Sequence, residues 1–315
     1  MYNNLHIKEA SPRDEIISGL LANSKRLPSK LFYDEKGSAL FDMICNLDEY
    51  YLTRTEVSIM KHNIKEITDC ISGDSALIEL GSGSSIKTRL LFDNMRTLPL
   101  YIPVDISYEH LMRTAEVLKQ DYPGLRVHPV NADFSHDFEL PFVALQMNLR
   151  KILYYPGSTI GNFTPREAAR FLKRVSGMLG HGGGLLIGVD MKKDPNVLHM
   201  AYNDSKGITA KFNLNILERL NADYNADFDI GNFYHKAVYN KLKGRIEMYL
   251  ISTKTQSANI FGKRIHFLRG EKILTEYSYK YSDEGFSKLV SEYFRSEYVW
   301  TDDNNYFSIW YLKVR

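Results

Sequence analysis

The feature that most constrains the fold is a short apolar run that ends in a glycine-rich turn. Residues 76–89 read ALIELGSGSSIKTR, where Gly81, Ser82 and Gly83 follow the apolar residues. The pattern predicts a buried parallel strand that enters a tight turn and opens a helix, because glycine adopts positive φ and lets a ligand approach the backbone. Backbone N–H groups at such a helix start favour a nucleotide-type ligand. An ordinary strand–turn–helix unit without a ligand is the alternative.

The turn departs from the dinucleotide-binding pattern GxGxxG, because Ile86 stands where the third glycine would fall. Glu79, just before the turn, would repel a phosphate and accept a hydrogen bond from an ammonium group. Both features favour a cofactor without phosphate, such as S-adenosylmethionine, whose amino-acid tail carries an ammonium group. A nicotinamide-dependent dehydrogenase is the competing hypothesis, since an acid about twenty residues after a glycine turn is also a dinucleotide signature.

Two further strand-like segments end in acidic residues. LYIPVDIS places Asp105 near the end of one segment, and LRVHPVNADF ends with Asp133 and Phe134. Ligands of open α/β sheets bind at the carboxyl ends of the strands. We therefore expect Asp105 to accept hydrogen bonds from a ribose, Asp133 to accept one from an adenine amino group, and Phe134 to stack on the adenine ring.

Composition and charge limit the class of partner. The 315 residues are 44% hydrophobic and 25% charged, with 40 basic and 38 acidic side chains and a net charge of +2. Such a chain is typical of soluble globular proteins, and its balanced charge gives no reason to expect nucleic acid or a membrane surface as partner. A small-molecule substrate is the better expectation. The nine histidines lack the spacing of metal ligands, so we expect no bound metal.

The beginning of the chain and its cysteines indicate a reducing compartment. Residues 1–15 are polar, and no apolar run has transmembrane length. Cys45 and Cys70 form no CxxC arrangement, which favours reduced thiols. We expect a cytoplasmic protein, and a monomer.

The hydrophobic pattern divides the chain into a sheet-rich middle and flanking material. Residues 1–60 are helical in pattern, and residues 76–190 alternate between strands and helices. The predicted strands of this middle part are Leu77–Leu80, Tyr101–Asp105, Val127–Val130, Lys151–Tyr155 and Gly184–Val189. A helix is predicted at Thr164–Leu179, where threonine, proline and glutamate form a capping pattern. This order predicts an α/β fold with a doubly wound parallel sheet.

The pattern changes after Asp190. Polar helices are predicted over Pro195–Asn221, followed by three segments of alternating polarity at Phe233–Val238, Ile246–Ser252 and Ile265–Leu268. A final helix, Ser282–Phe294, and two strands, Tyr298–Thr301 and Tyr306–Val314, return to the sheet. We therefore predict one domain from residues 61–192 and 280–315, and a substrate-binding domain from residues 1–60 and 193–279.

Six ordered segments carry a family resemblance, from LPSKLFYDEKGSALFD and LDEYYLTRTE through ELGSGSSIKTR and YYPGSTIGNF to AYNDSKGITAKFNLN and ILTEYSYKY. Together they resemble the L-histidine Nα-methyltransferases of ergothioneine biosynthesis. The resemblance implies a Rossmann-like class I S-adenosylmethionine-dependent methyltransferase core with a second, substrate-binding domain. It also implies three successive methyl transfers to the α-amine of L-histidine, giving hercynine and S-adenosylhomocysteine.

The resemblance also implies roles for individual residues near the cofactor. Lys87 falls where the family contacts the methionine part of the cofactor, and Tyr50 where it bridges the substrate and cofactor sites. The implied cofactor-binding residues are Tyr50, Gly81, Ser82, Gly83, Lys87, Asp105, Asp133 and Phe134.

On the substrate side, the resemblance places Tyr33 and Asn162 beside the reacting amine. It assigns the α-carboxylate and amine to Asn162 and Tyr202, and the imidazole to Glu276 and Ser278. The implied substrate-binding residues are Tyr50, Gly157, Thr159, Asn162, Tyr202, Phe212, Met248, Glu276 and Ser278. Without the resemblance, the alternation around Glu276 would indicate only an exposed strand. Two alternatives stay open: another amino-acid substrate, tryptophan-derived or tyrosine, and a non-catalytic binding module.

Overall fold

The computed structural model describes residues 11–83, 86–98, 100–134, 140 and 149–315. Its largest sheet contains the strands β1 (Ser75–Leu80), β2 (Leu100–Asp105), β3 (Arg126–Val127), β4 (Val130–Asn131), β5 (Arg150–Tyr155), β6 (Gly184–Asp190), β12 (Phe294–Thr301) and β13 (Phe307–Val314). The strand order is β12-β13-β6-β5-β1-β2-β3, and β4 also pairs with β2. Strands β1 to β6 pair in parallel, whereas β13 runs antiparallel between β6 and β12.

The order of the sheet explains where a ligand would bind. Strand β1 pairs with β2 on one side and β5 on the other, so the chain order reverses at β1. Every residue of β1 and β2 is buried, as expected for a parallel sheet covered on both faces. The carboxyl ends at such a reversal point diverge and leave a crevice for a ligand. Here the crevice lies between the turns that follow β1 and β5.

Helices lie in the core and in the flanking material, and one of them begins with the capping groups that the sequence predicts. Their bounds are α1 (Pro12–Leu21), α2 (Glu35–Cys45), α3 (Tyr51–His62), α4 (Ile64–Ile71), α5 (Ile86–Phe92), α6 (Tyr108–Asp121), α7 (Pro165–Leu179), α8 (Pro195–Tyr202), α9 (Ile208–Tyr224) and α10 (Asp283–Val290). Thr164 and Glu167 form the predicted capping box at the start of α7. No helix in the described ranges has the length and apolarity needed to cross a membrane.

A smaller antiparallel sheet lies in the segment after β6. It has the order β11-β8-β7, formed by β7 (Phe233–Asn240), β8 (Arg245–Ser252) and β11 (Lys272–Tyr279), while β9 (Gln256–Ile260) pairs with β10 (Lys263–Phe267). Helix α9 packs between this sheet and the N-terminal segment, where Phe32 stacks on Phe212 with ring centroids 4.5 Å apart. We propose the same two domains that the sequence analysis predicts, because the N-terminal segment packs against the segment after β6.

Several predicted elements differ from the structure. The predicted strand Val127–Val130 is two short strands, β3 and β4, because Pro129 between them has no N–H to donate. The predicted helix Ser282–Phe294 was too long, since α10 ends at Val290 and Phe294 begins β12, where it pairs with Val314.

The predicted helices of Pro195–Asn221 are present as α8 and α9, separated by a turn in which Gly207 adopts a φ of 67°. Helix α9 extends to Tyr224, three residues beyond the predicted end. Strand β9 was not predicted, since its inward residues, Ala258 and Ile260, are too few to give a clear alternation.

Candidate active site

Two cavities lie at the carboxyl ends of β1, β2 and β5. The large cavity has a volume of about 960 Å³, and the small cavity, about 60 Å³, adjoins it toward β8 and β11. The residues that line both cavities are Tyr33, Phe41, Tyr50, Gly157, Thr159, Asn162 and Glu276. This shared wall makes the two cavities one continuous site.

The glycine turn forms one wall of the large cavity. Gly81 and Gly83 have φ values of 71° and 45°, in the region that favours glycine, and the Gly81 N–H donates to the Val104 carbonyl at 2.8 Å. A Cβ at Gly81 would lie 3.8 Å from the Phe134 ring, on the cavity side. Residues 84 and 85 of the predicted turn lie outside the described residues. The backbone thus lies open to a ligand where the sequence predicts it.

Glu79 lies beneath this turn and is fully buried. Thr88 donates to its Oε2 at 2.6 Å, and the Tyr101 hydroxyl donates to the same oxygen. Burial raises the pKa of Glu79 to about 7, although these hydrogen bonds and Lys87 act in the opposite direction. Its Oε1 accepts no hydrogen bond from the described residues, which is compatible with the predicted contact to an ammonium group.

The acid that ends β2 and the acid that follows β4 both line the large cavity. Asp105 accepts a hydrogen bond from the Ser107 N–H at 2.9 Å, and its second oxygen lies 3.5 Å from the Gly83 nitrogen. The carboxylate is therefore held beside the glycine turn. Asp133 pairs with Lys30 at 2.9 Å, so its expected contact with adenine would be made by a carboxylate that already has a cationic partner.

Lys87 is paired with a buried acid that the sequence analysis did not single out. Glu56, on α3, is 1% exposed and forms an ion pair with Lys87. Its carboxylate also accepts the Gly157 N–H at 3.0 Å. Glu56 thus joins α3 and α5 to the turn after β5. It is the last residue of the segment LDEYYLTRTE, so its place in that segment was the available signal.

The turn after β5 packs tightly against β11. Gly157 has a φ of 74°, and a short 3-10 turn follows at Thr159–Asn162. A Cβ at Gly161 would lie 2.8 Å from the Tyr279 carbonyl oxygen, so only glycine permits this approach. The contact brings Asn162 from the core beside the strand that carries Glu276 and Ser278.

Glu276 faces the small cavity at an irregularity in its strand. The register between β11 and β8 shifts at Thr275, and Glu276 lies opposite Met248. Among the described residues, none donates a hydrogen bond to the Glu276 carboxylate or forms an ion pair with it. Burial raises the pKa of Glu276 to about 7, and only the more distant Lys280 counteracts this. A partly buried acid without a partner is costly unless a ligand supplies a donor.

Aromatic rings surround the junction between the two cavities. Tyr33 packs edge-on against Phe41 and Phe212, with ring centroids 5.9 and 5.8 Å apart, and Tyr50 packs against Tyr202 at 6.2 Å. Burial raises the pKa of Tyr33 and of Tyr50 well above the usual value, so both phenols are neutral at physiological pH. Phe41 also lines both cavities.

The predicted site residues all lie on these two cavities. Those on the large cavity are Tyr50, Gly81, Ser82, Gly83, Lys87, Asp105, Asp133 and Phe134. Those on the small cavity are Tyr33, Tyr50, Gly157, Thr159, Asn162, Tyr202, Phe212, Met248, Glu276 and Ser278. Their individual roles remain predictions.

The strand order, the glycine turn after β1 and the acids at the ends of β2 and β4 define a Rossmann-like class I S-adenosylmethionine-dependent methyltransferase. Residues 12–314 match the sequence model described as "Histidine-specific methyltransferase, SAM-dependent", and the chain belongs to this family. It is therefore an S-adenosylmethionine-dependent N-methyltransferase.

Curated relatives agree with this assignment. Histidine N-alpha-methyltransferase of Mycolicibacterium smegmatis is 39% identical over 297 residues, which is 92% of this chain and 91% of the relative. The protein of the same name from Mycobacterium tuberculosis is 37% identical over 94% of this chain and 93% of its own length. Ergothioneine biosynthesis protein 1 of Neurospora crassa is 33% identical over 85% of this chain, which corresponds to 31% of that longer protein.

Proposed function

We propose that this protein transfers methyl groups from S-adenosylmethionine to the α-amine of L-histidine, forming hercynine for ergothioneine biosynthesis. The observation that carries the proposal is the Glu276 carboxylate in the small cavity, which has no hydrogen-bond or ion-pair partner among the described residues. An imidazole N–H would supply the missing donor there. The names of the mycobacterial relatives and of the family support the same substrate.

The described residues fit S-adenosylmethionine. The cavity beside the glycine turn is large, and Asp105 lines it, with its second oxygen 3.5 Å from the Gly83 nitrogen. Asp105 would hold the ribose hydroxyls, and Lys87 with the Gly81–Gly83 turn would hold the methionine part. When bound, the cofactor supplies a methyl group on a positively charged sulfur, which an amine attacks in line.

The groups nearest the proposed amine site are neutral. Tyr33, Asn162 and Tyr50 line the junction of the cavities, and burial keeps both phenols protonated. A carboxylate in direct contact with the amine would raise its pKa and retain the proton that must leave before methyl transfer. Neutral hydrogen-bonding groups tolerate the uncharged amine. Positioning by these residues, rather than a strong general base, is therefore the proposed contribution of the protein.

The proposal is tested by incubating the protein with S-adenosylmethionine and each of the twenty amino acids. Mass spectrometry should detect a product three methyl groups heavier than histidine, with little product from the other amino acids. A preference for tryptophan or tyrosine would overturn the histidine assignment and leave amino-acid N-methylation standing.

Asp105→Ala is expected to weaken S-adenosylmethionine binding by about 1.5–3 kcal/mol, the range for hydrogen bonds to a charged group. Calorimetry measures the affinity, and the far-UV circular dichroism of the variant should match the wild type. Asp303→Ala, which removes an exposed acid that lines neither cavity, is the control. Equal affinities of Asp105→Ala and wild type would exclude Asp105 from the cofactor site.

Asn162→Ala is expected to raise the KM for histidine by roughly 10-fold or more, because the main-chain groups of the amino acid would lose a hydrogen-bonding partner. Affinity for S-adenosylmethionine should change little. Steady-state kinetics and calorimetry separate the two effects. Similar losses for both ligands would show instead that Asn162 stabilises the turn after β5.

We further propose that the enzyme acts as a cytoplasmic monomer on a small molecule. All of the predicted site residues lie on the two cavities of this chain, which supports a site formed within a single copy. Free histidine and S-adenosylmethionine are cytoplasmic metabolites.

A further inference from the structure

A buried lysine lies directly behind two hydroxyls of the small cavity. Lys280 follows β11 and is 2% exposed. Its ammonium donates to Tyr202 Oη at 2.9 Å, to Ser278 Oγ at 2.8 Å and to Asp190 Oδ2 at 2.6 Å. An ammonium has three protons and no acceptor, so these contacts use its full hydrogen-bonding capacity.

These contacts fix where the two hydroxyl protons can lie. Because Tyr202 and Ser278 both accept from Lys280, neither O–H can point toward it. The two oxygens are 2.8 Å apart, and one proton at most can lie between them. At least one O–H is left to donate elsewhere, and both side chains line the small cavity. This wall therefore presents a hydrogen-bond donor to a ligand.

Glu276 in the same cavity presents a hydrogen-bond acceptor instead, because its carboxylate has no partner among the residues that the structure describes. A neutral imidazole carries one N–H and one lone-pair nitrogen, which would match this pair of groups. We propose that Lys280 is a positioning residue that makes the Ser278–Tyr202 pair a donor, so that the enzyme selects the lone-pair nitrogen of a neutral imidazole. The proposal rests on histidine as the substrate.

The surroundings of Lys280 allow the idea to be tested by substitution. Asp190 also accepts from the Tyr51 hydroxyl at 2.7 Å and pairs with Lys193, so it keeps two partners when Lys280 is replaced. Without the ammonium, a hydroxyl proton is free to turn toward Asp190. The oxygen lone pairs would then face the cavity, and the preference for a lone-pair nitrogen should weaken.

The test compares kcat/KM for histidine with two kinds of analogue. The two pyrrolylalanine isomers keep a ring N–H but lack the second nitrogen, whereas thiazol-4-ylalanine keeps a lone-pair nitrogen and has no N–H. The wild type should prefer histidine to the pyrrolylalanines by roughly 100-fold or more, because they leave the donor unpaired. In Lys280→Met this preference should fall by about tenfold, while the preference over thiazol-4-ylalanine stays the same.

Lys193→Met is the matched control, because Lys193 also contacts Asp190 but, among the described residues, neither Ser278 nor Tyr202. It should leave both preferences unchanged. Lys280→Gln serves if Lys280→Met does not fold: its amide oxygen accepts a hydroxyl proton, so the preference should fall in the same direction.

The possible outcomes separate the two proposals. Histidine methylation with unaltered analogue preferences in both Lys280 variants would overturn the role of Lys280. An equal loss of both preferences would do the same, since it would show a purely structural role. Absence of histidine methylation in the wild type would instead overturn the proposed function.

Discussion

Replacing Glu276 with alanine is expected to lower kcat/KM for histidine by roughly 10- to 150-fold, which corresponds to about 1.5–3 kcal/mol for a lost hydrogen bond to a charged group. The same change should raise the activity on tryptophan relative to histidine. In the wild type, a substrate without a suitable ring donor leaves the partly buried carboxylate of Glu276 unpaired. In the variant that penalty disappears, and the space beside Met248 is enlarged. The measurement is kcat/KM for histidine, tryptophan, tyrosine and phenylalanine.

Glu276→Gln is the matched control, because it keeps the size of the side chain and an oxygen acceptor but removes the charge. It should lose less histidine activity than Glu276→Ala and should gain less for tryptophan. The same order of preference in wild type and Glu276→Ala would show that Glu276 does not read the side chain of the substrate.

The cofactor side of the site could be predicted from the sequence because local structure determines the positions of its residues. Gly81 and Gly83 are required by the backbone conformation of a single turn, and Asp105 directly ends a buried strand. The parallel sheet then brings these residues together, because the carboxyl ends of neighbouring parallel strands share one edge. Local pattern and fold class were therefore sufficient to predict a cofactor site there.

The substrate side depends on contacts between distant parts of the chain, so it could not be predicted from the pattern of residues. Glu276 and Ser278 alternate along β11 as in any half-exposed strand, and only the family resemblance singled them out. They face the cavity because the strand is irregular at Thr275 and because Gly161, more than a hundred residues earlier in the chain, packs on its backbone. Neither the strand irregularity nor the packing of Gly161 can be recognised in a single sequence.

On the cofactor side, the burial of Glu56 could not be predicted from the sequence either. Its position in an amphipathic helix suggests a solvated acid, yet the structure buries it against Lys87 and the Gly157 N–H. Such a buried pair is poorly visible in sequence because its two members are thirty-one positions apart. Removing one partner of a buried ion pair destabilises a protein much more than removing one partner of a surface ion pair.

Lys87→Met is therefore expected to destabilise the protein by about 3–5 kcal/mol in the absence of cofactor, because it leaves Glu56 buried without its cation. Chemical denaturation without S-adenosylmethionine measures this loss separately from any effect on binding. Lys119→Met is the control, since it breaks an exposed ion pair with Glu116 and should change the free energy of unfolding little.

Adding Glu56→Gln to Lys87→Met should recover most of the lost stability. The glutamine carries no charge, and its amide oxygen can still accept the Gly157 N–H that ties α3 to the turn after β5. S-adenosylmethionine affinity should stay low in the double variant, because the proposed contact of Lys87 with the methionine part is still missing. A double variant as unstable as Lys87→Met would show that the lysine stabilises the fold by packing rather than by neutralising Glu56. Full recovery of affinity would remove Lys87 from the cofactor site.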